Sequence, residues 1–274
     1  MRVLIPVLTC LLLAACGTPA PTATPPPPTQ SAPEKPAQGE SPKPSEPPKQ
    51  QLPAGFVDLS DVDASILSDI RYATPHNFVG RPVTGYLRPR CLLTSQAAEA
   101  LHRVQQQAQQ RGYSLKVYDC YRPQRAVDDF VAWSKNADQR MKPEFYPDED
   151  KDALFDDGYI GGPTAHSRGS TMDLTIVALP ARTQPEWRQG DPLEACTAAQ
   201  RFPDNTVDMG TGFDCFDPLA HTAATGINEQ ERANRDLLTG LMAAGGFTNY
   251  PKEWWHYTLT KEPFPDTYYD FPVE

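Results

Sequence analysis

The chain has 274 residues, of which 39% are hydrophobic and 22% charged, which is usual for a globular protein. Its formal charge of −10 and its pI near 5.0 argue against binding to nucleic acid, which favours a basic face. The 30 prolines are an unusual number, and most of the excess precedes residue 54. The composition therefore indicates a tail followed by one domain of about 220 residues.

Residues 1–16 have the pattern of a bacterial lipoprotein signal peptide. Arg2 provides a positive start, Val3 to Leu13 form an apolar run, and Leu13-Ala14-Ala15-Cys16 ends the run with small residues. The run of about 11 residues is too short for a bilayer core, which needs about 20. We therefore predict export and attachment to a membrane of the bacterial cell envelope through a lipid on Cys16. The alternative is an ordinary cleaved signal with a chance cysteine.

Residues 17–53 are rich in Pro, Thr, Ser, Glu, Lys and Gln and contain no aromatic residue. Such a segment cannot bury enough apolar surface to offset the conformational entropy that folding removes. We expect a disordered, extended linker whose prolines make it semi-rigid. A folded domain is expected over residues 54–274, held at the end of this tether.

The cysteines that remain in the predicted domain are Cys91, Cys120, Cys196 and Cys215. An even number of cysteines in an exported chain indicates disulfides. We favour the pairs Cys91–Cys120 and Cys196–Cys215, because each closes a local loop and leaves a metal site to histidine and carboxylate. A thiolate zinc site is the alternative, but the sequence contains no Cys-x-x-Cys pair to support it.

Hydrophobic periodicity predicts three helices and three strands in the domain. The predicted helices are Ser95–Arg111, Gln124–Ser134 and Glu229–Ala244. The predicted strands are Leu115–Asp119, Met172–Leu179 and Trp254–Leu259, with short strands or turns at Phe56–Leu59 and Ile66–Tyr72. Residues 181–216 are predicted to form a long loop. The elements show no regular βαβ rhythm, so we predict an α+β fold with helices packed on an antiparallel sheet.

Two residues in the middle of the chain have the chemistry of metal ligands. His166 follows Gly161-Gly162-Pro163 in a loop, and Asp173 lies seven residues later, at the start of a strand. The intervening residues can turn the chain so that both side chains reach one ion. Two histidines and a carboxylate can hold one zinc ion and leave its fourth position to water. A polar hairpin without metal is the alternative.

The segment Glu253-Trp254-Trp255-His256 offers a third ligand and a base. Positions three apart on a strand point to opposite faces, so we expect Glu253 to lie in the turn after Pro251, before strand pairing begins. From there Glu253 could take a proton from the metal-activated water. The two tryptophans are expected to wall the site and lower its dielectric. The alternative is that they are core residues and that Glu253 is a solvated turn residue.

Arg122 is predicted at the end of a strand, in Asp119-Cys120-Tyr121-Arg122-Pro123. A fixed guanidinium there could stabilise the oxyanion that forms during attack on an amide. The alternative is an ion pair with Asp119 or Asp128. Of the remaining histidines, His76 and His102 are expected to be structural or at the surface. His221 is a weaker candidate for the site.

Together these motifs resemble the D-alanyl-D-alanine dipeptidases of the VanX type, a group of zinc D,D-peptidases with a hedgehog-like α+β fold. The resemblance runs from about Phe56 to Glu274 and includes Tyr121-Arg122-Pro123, His166-Ser167-Arg168-Gly169 and Glu253-Trp254-Trp255-His256. It implies one zinc ion, a catalytic base and a residue that stabilises the transition state. Those roles fall on His166, Asp173 and His256 as zinc ligands, Glu253 as base and Arg122 as stabiliser.

The resemblance also implies how a dipeptide is held. Asp214, with Tyr72, would bind the free amino group, and Tyr86 with the Thr164 hydroxyl would hold the carboxylate. The family has Ser where this chain has Thr164. The implied activity is hydrolysis of D-alanyl-D-alanine to two D-alanines, here in the cell envelope rather than in the cytosol. The alternatives are a D,D-carboxypeptidase that acts on peptidoglycan stem peptides and a non-catalytic wall-binding lipoprotein.

Overall fold

The computed structural model describes residues 51–274. The strands are β1 (Phe56–Asp58), β2 (Leu67–Ser68), β3 (Leu92–Thr94), β4 (Tyr113–Asp119), β5 (Thr171–Ala178), β6 (Phe247–Asn249) and β7 (His256–Leu259). The α-helices are α1 (Leu59–Val62), α2 (Ser95–Gln110), α3 (Gln124–Ser134), α4 (Lys142–Phe145) and α5 (Glu229–Ala244). The predicted signal peptide 1–16, its Cys16, and residues 17–50 of the linker lie outside the described residues.

The three predicted helices are confirmed; each has a buried stripe, and two of them begin at a side-chain cap. Thr94 caps α2 by accepting a hydrogen bond from the backbone of Ala97. Asn228 and Glu231 form a reciprocal capping box at the start of α5. The three predicted strands are confirmed within two residues at each end, and residues 181–216 contain no helix or strand. β1 and β2 lie in the segments predicted as short strands or turns, whereas β3, β6, α1 and α4 were not predicted, because elements this short show no hydrophobic period.

The main sheet has five strands in the order β2-β4-β5-β7-β6. Its pairs are antiparallel except at one edge, where β2 runs parallel to β4. The prediction of an antiparallel sheet is wrong for this edge. The connection from β2 to β4 contains helix α2, and a crossover of that length allows parallel pairing. β1 and β3 pair separately as a two-stranded antiparallel sheet, so the architecture is a mixture of helices and two sheets.

Strand β5 lies at the centre of the main sheet, between β4 and β7. Seven of its eight residues are buried, which explains the apolar run from Leu174 to Val177. Helix α2 contacts β4 and α5, and α5 contacts β6. Asp173 therefore places a carboxylate inside a strand that is otherwise part of the core.

Both predicted disulfides are present, as Cys91–Cys120 and Cys196–Cys215. The alternative of a thiolate zinc site is therefore wrong for these four cysteines. Cys120 directly follows β4, and Cys215 ends the long loop that began at residue 181. Among residues 51–274, none of the helices has the length and apolar character needed to cross a bilayer.

Candidate active site

A cavity of about 240 Å³ opens beside the ends of β4, β5 and β7. Most of the residues singled out in the sequence line it. These are Tyr72, Arg122, Thr164, His166, Asp173, Asp214, Glu253 and His256. Three carboxyl groups, two imidazoles and one guanidinium thus face the same small space, although they come from segments up to 134 residues apart in the chain.

The three predicted metal ligands converge within this cavity. Their ligand atoms lie within 4.8 Å of one another. His166 Nε2 is 3.3 Å from His256 Nδ1 and 3.4 Å from Asp173 Oδ1, and His256 Nδ1 is 3.1 Å from Asp173 Oδ1. A tetrahedral ion with bonds of about 2.0–2.1 Å needs donor atoms about 3.3–3.4 Å apart. The spacing of the nitrogen and oxygen donors therefore suits a small divalent metal ion such as zinc.

Strand register brings two of these ligands together. Asp173 in β5 lies directly opposite His256 in β7, and directly opposed residues point to the same face of a sheet. His166 arrives from a short 3-10 helix, Ala165–Arg168, which ends at Gly169 with φ +80°. A Cβ atom at Gly169 would lie 2.2 Å from the Phe56 ring, so the reversal that brings His166 back to Asp173 requires glycine.

Hydrogen bonding orients His166 toward the metal position. Its Nδ1 lies 2.8 Å from the carbonyl oxygen of Cys120, which can only accept, so this nitrogen donates. The lone pair of Nε2 is then directed into the cavity, as in metal sites whose histidines are fixed by a second partner. Asp173 Oδ1 is buried and accepts no hydrogen bond from any described residue. A buried oxygen without a partner is unusual, and a bound cation would satisfy it.

The pKa shifts show that the carboxylates and imidazoles of this cluster stabilise each other's charged forms. Burial alone would raise the pKa of Asp173, but the His166 and His256 imidazoles lower it well below its usual range. Burial alone would lower the pKa of His256, but the neighbouring carboxylates of Asp173 and Glu253 raise it to about 9. The carboxylate is thus ionised at neutral pH, which is the form that binds a metal.

Glu253 lies in the turn between β6 and β7, as the strand geometry required. Its Oε2 is 3.3 Å from His256 Nδ1, so a carboxylate stands directly beside the candidate metal position. The expectation that Trp254 and Trp255 wall the site is wrong. Both rings are buried, but neither lines the cavity, and the Trp254 indole donates to Thr211 Oγ1 instead.

Arg122 extends into the cavity at the level of the metal ligands. Its guanidinium lies over the rings of Tyr72 and Phe130, 5.0 and 5.3 Å from their centres. It donates to Asp119 Oδ2 at 3.0 Å, and its Nη2 is 3.6 Å from Asp173 Oδ2. The predicted ion pair with Asp119 is therefore present, and it holds the guanidinium at the cavity rather than away from it.

Asp119 is a residue of the site that sequence reasoning treated only as an alternative partner for Arg122. It is fully buried, and it accepts hydrogen bonds from Arg122 and from the Tyr86 hydroxyl, the latter at 2.6 Å. His166 Nδ1 is 3.4 Å from Asp119 Oδ2, the oxygen that accepts from Arg122. Burial raises the pKa of Asp119, although the positive charge of Arg122 opposes the shift. The available signal was a carboxylate at the end of an apolar strand, three residues before the arginine.

Asp214 also lines the cavity, and its carboxyl is buried. It is the one residue other than glycine with positive φ in the described range, at +56°, and Cys215 anchors it from the next position. The Tyr72 hydroxyl donates to Asp214 Oδ2 at 2.9 Å. Burial and the negative charge of Asp173 raise the pKa of Asp214 well above its usual value. The strained backbone and the missing counter-charge are typical of a functional position.

The other predicted residues fall into two groups. Thr164 lines the cavity and caps the 3-10 helix that carries His166. The hydroxyl of Tyr86 is occupied by Asp119, and Tyr86 does not line the cavity. The remaining histidines, none of which lines the cavity, are His76, bonded to Glu144, His102, bonded to Asp63, and His221.

Comparison with known proteins agrees with this geometry. The profile of the family described as Peptidase_M15, D-ala-D-ala dipeptidase, matches residues 53–185 and 193–274. The chain belongs to this family. It is accordingly a metallopeptidase, and the family residues cover the whole cavity. Residues 186–192, which lie in the long loop that precedes Asp214, fall outside the match.

Several characterised relatives share this match over nearly their full length. The D-alanyl-D-alanine dipeptidase of Streptomyces coelicolor is 40% identical over 219 residues, covering 80% of this chain and 98% of the relative. The enzymes of the same name from Enterococcus faecium and Enterococcus faecalis are 36% and 37% identical, with the same coverage. The matched part of the chain is thus a complete counterpart of these enzymes.

Removal of the carboxylate from the metal cluster tests the site directly. Asp173→Asn preserves shape but takes away the negative charge that faces both imidazoles. Loss of even an outer partner costs about 10–100-fold in metal affinity, so we expect a loss of more than about 100-fold, measured by competition with a chelator. The matched control is Asp129→Asn, which breaks an ion pair with Arg81 elsewhere on the protein. Equal metal affinity in both variants would contradict the site.

Proposed function

We propose that this protein is a zinc-dependent dipeptidase that hydrolyses D-alanyl-D-alanine to two D-alanines. The observation that carries the proposal is the convergence of three candidate metal-ligand atoms, with the Glu253 carboxylate beside them, in a cavity that Asp214 also lines. The names and coverage of the relatives support the same substrate. We propose also that the domain has the hedgehog-like fold that the resemblance implies.

His166, Asp173 and His256 would hold the zinc ion. Bound there, zinc supplies a water molecule with a pKa lowered to about 7 and polarises the carbonyl of the scissile amide. Glu253 accepts the proton of the attacking water and then delivers it to the leaving amine nitrogen. Its Oε2 lies close enough to His256 to reach a water at the same position, which is the geometry that a general base needs.

Arg122 provides a fixed positive charge for the oxygen of the scissile carbonyl. Burial alone would lower the pKa of Arg122, but Tyr72 and Asp119 raise it well above its usual value, so the guanidinium keeps its charge. Two rings and the Asp119 carboxylate hold it in place. A donor that is oriented before the reaction stabilises developing negative charge without reorganisation.

The two ends of the dipeptide carry opposite charges and are bound by different groups. Asp214 and Tyr72 bind the amino group, because an ammonium supplies the counter-charge that the buried Asp214 carboxyl lacks. Thr164 donates its hydroxyl to the substrate carboxylate from the other side of the cavity. In this arrangement Tyr86 acts indirectly, because its hydroxyl is bonded to Asp119. It holds Asp119, which in turn holds Arg122.

A substrate panel distinguishes this function from the alternatives. Wild-type protein is expected to release D-alanine from D-alanyl-D-alanine and not from an N-acetylated stem peptide ending in D-Ala-D-Ala, because a capped amine cannot pair with Asp214. Asp214→Asn should raise KM for the free dipeptide at least about 10-fold, the loss of a charged hydrogen bond. Preference for the capped peptide would indicate a carboxypeptidase, and no cleavage of either would indicate a binding protein.

Glu253→Gln isolates the base from the metal. The amide has the shape of the carboxylate but cannot accept a proton, so we expect kcat to fall about 10²–10⁴-fold. Zinc content, measured by elemental analysis after dialysis, should stay at one per chain, because Glu253 is not among the three ligands. Turnover near the wild-type rate would remove Glu253 from the role of base.

We propose further that the protein works in the cell envelope as a lipoprotein and clears dipeptide released there from the wall. The signal pattern of residues 1–16 and the two disulfides support this. Cells expressing the full chain should incorporate labelled palmitate into the wild type and not into Cys16→Ser. Equal labelling, or recovery of both forms in the soluble cytosolic fraction, would contradict the anchor.

A further inference from the structure

The turn that carries Glu253 and His256 is held by a side chain outside the proposed chemistry. Asn249 is the last residue of β6. Its Nδ2 donates to the backbone carbonyl oxygens of Glu253, at 2.9 Å, and of His256, at 3.0 Å. One amide group therefore contacts the backbone of both the base and a metal ligand. Asn249 does not line the cavity, so any effect that it has on the reaction passes through these two residues.

The partners of Asn249 determine the orientation of its amide. Carbonyl oxygens only accept hydrogen bonds, so the nitrogen must face Glu253 and His256. On the other side, Asn249 Oδ1 accepts a hydrogen bond of 2.6 Å from Thr222 Oγ1. Thr222 is itself held, because its backbone N–H donates to the carbonyl oxygen of Pro251 in the same turn, at 3.0 Å. Both amide hydrogens and the amide oxygen are thus committed.

Backbone hydrogen bonds hold most of this turn, including one of 3.0 Å from Tyr250 N–H to the His256 carbonyl, but they support the Glu253 carbonyl only weakly. Strand pairing of β7 begins only at His256 on the β5 side and at Tyr257 on the β6 side. Glu253 N–H donates to the Tyr250 carbonyl at 3.0 Å, while the return bond from His256 N–H to Glu253 is long, at 3.3 Å. The amide of Asn249 is the link that joins the carbonyl of Glu253 to that of His256.

We propose that Asn249 is a positioning residue that sets the separation of the Glu253 carboxylate from the His256 imidazole. In the structure Glu253 Oε2 lies 3.3 Å from His256 Nδ1. A shift of either backbone carbonyl changes that distance, because each side chain is attached one bond from the carbonyl that Asn249 holds. The inference rests on the proposed function, in which the two side chains must act on the same water molecule.

Asn249→Asp is the informative variant because it keeps the shape and replaces the two donors with an oxygen that faces two carbonyl oxygens. We expect zinc affinity, measured by competition with a chromophoric chelator, to fall about 10–100-fold, as for other partners that orient ligands. At saturating zinc, kcat should fall at least about 10-fold while KM stays within about twofold. Thr222→Val should shift both quantities in the same direction by less, and Thr222→Ser, which keeps the hydroxyl, should restore them.

The control is Thr248→Val, on the neighbouring residue of β6. It removes a 2.9 Å hydrogen bond to Thr260 Oγ1 in the same hairpin, and zinc affinity and kcat should not change. If Asn249→Asp lowers only thermal stability, while the folded enzyme keeps wild-type zinc affinity and kcat, the inference is overturned. If that variant does not fold, identical behaviour of Thr222→Val and Thr222→Ser overturns it instead. Wild-type protein that binds no zinc and cleaves no dipeptide refutes the proposed function itself, which is a separate result.

Discussion

The cavity is built around an imbalance of buried charge. Three carboxyl groups, those of Asp173, Asp214 and Glu253, face one guanidinium, and that guanidinium already shares its charge with Asp119. Buried carboxylates with too little counter-charge are costly, and the imidazoles beside Asp173 and Glu253 supply only part of it. In the proposed function, a divalent metal held by the imidazoles and Asp173 would add positive charge to one part of the cavity, and a substrate ammonium beside Asp214 would add it to another. The charges that line the cavity are therefore matched to the two cations that the proposal assigns to it.

The disulfides hold the parts of the cavity that no strand pairing reaches. The carbonyl of Cys120 receives the hydrogen bond that orients His166, and the chain continues through Tyr121 to Arg122. Cys215 directly follows Asp214, the residue with positive φ. Each cross-link therefore lies next to a residue of the site. Disulfides form in oxidising compartments, and the signal sequence predicts export to such a compartment. The predicted location would therefore favour the two cross-links that lie beside the cavity.

The sequence predicted the long elements and the three candidate metal ligands that the structure brings together, because both leave local signals. A 16-residue helix shows several turns of its period, and a histidine or carboxylate in an unusual setting, such as Asp173 before an apolar strand, stands out by itself. Pairings between distant segments leave no such signal. The parallel edge of the sheet depends on where a helix crosses, and the function of Asp119 depends on Tyr86 and Arg122 meeting it in space. The same limit applies to Trp254 and Trp255. They were expected beside the metal only because they are adjacent in sequence to Glu253 and His256.

The distinction between a dipeptidase and a carboxypeptidase is likewise set by tertiary structure. Both need the metal, the base and the arginine, so these residues cannot separate them. What separates them is whether the amino end of the cavity is open. In the proposed substrate orientation, the loop that ends at Cys215 brings the buried Asp214 carboxyl to that end, and the Tyr72 hydroxyl donates to it. A longer peptide would then have to place an uncharged amide against that carboxyl, whereas a free dipeptide would place its ammonium there. Under this proposal, Asp214 determines the substrate length, and the three candidate metal ligands determine the chemistry.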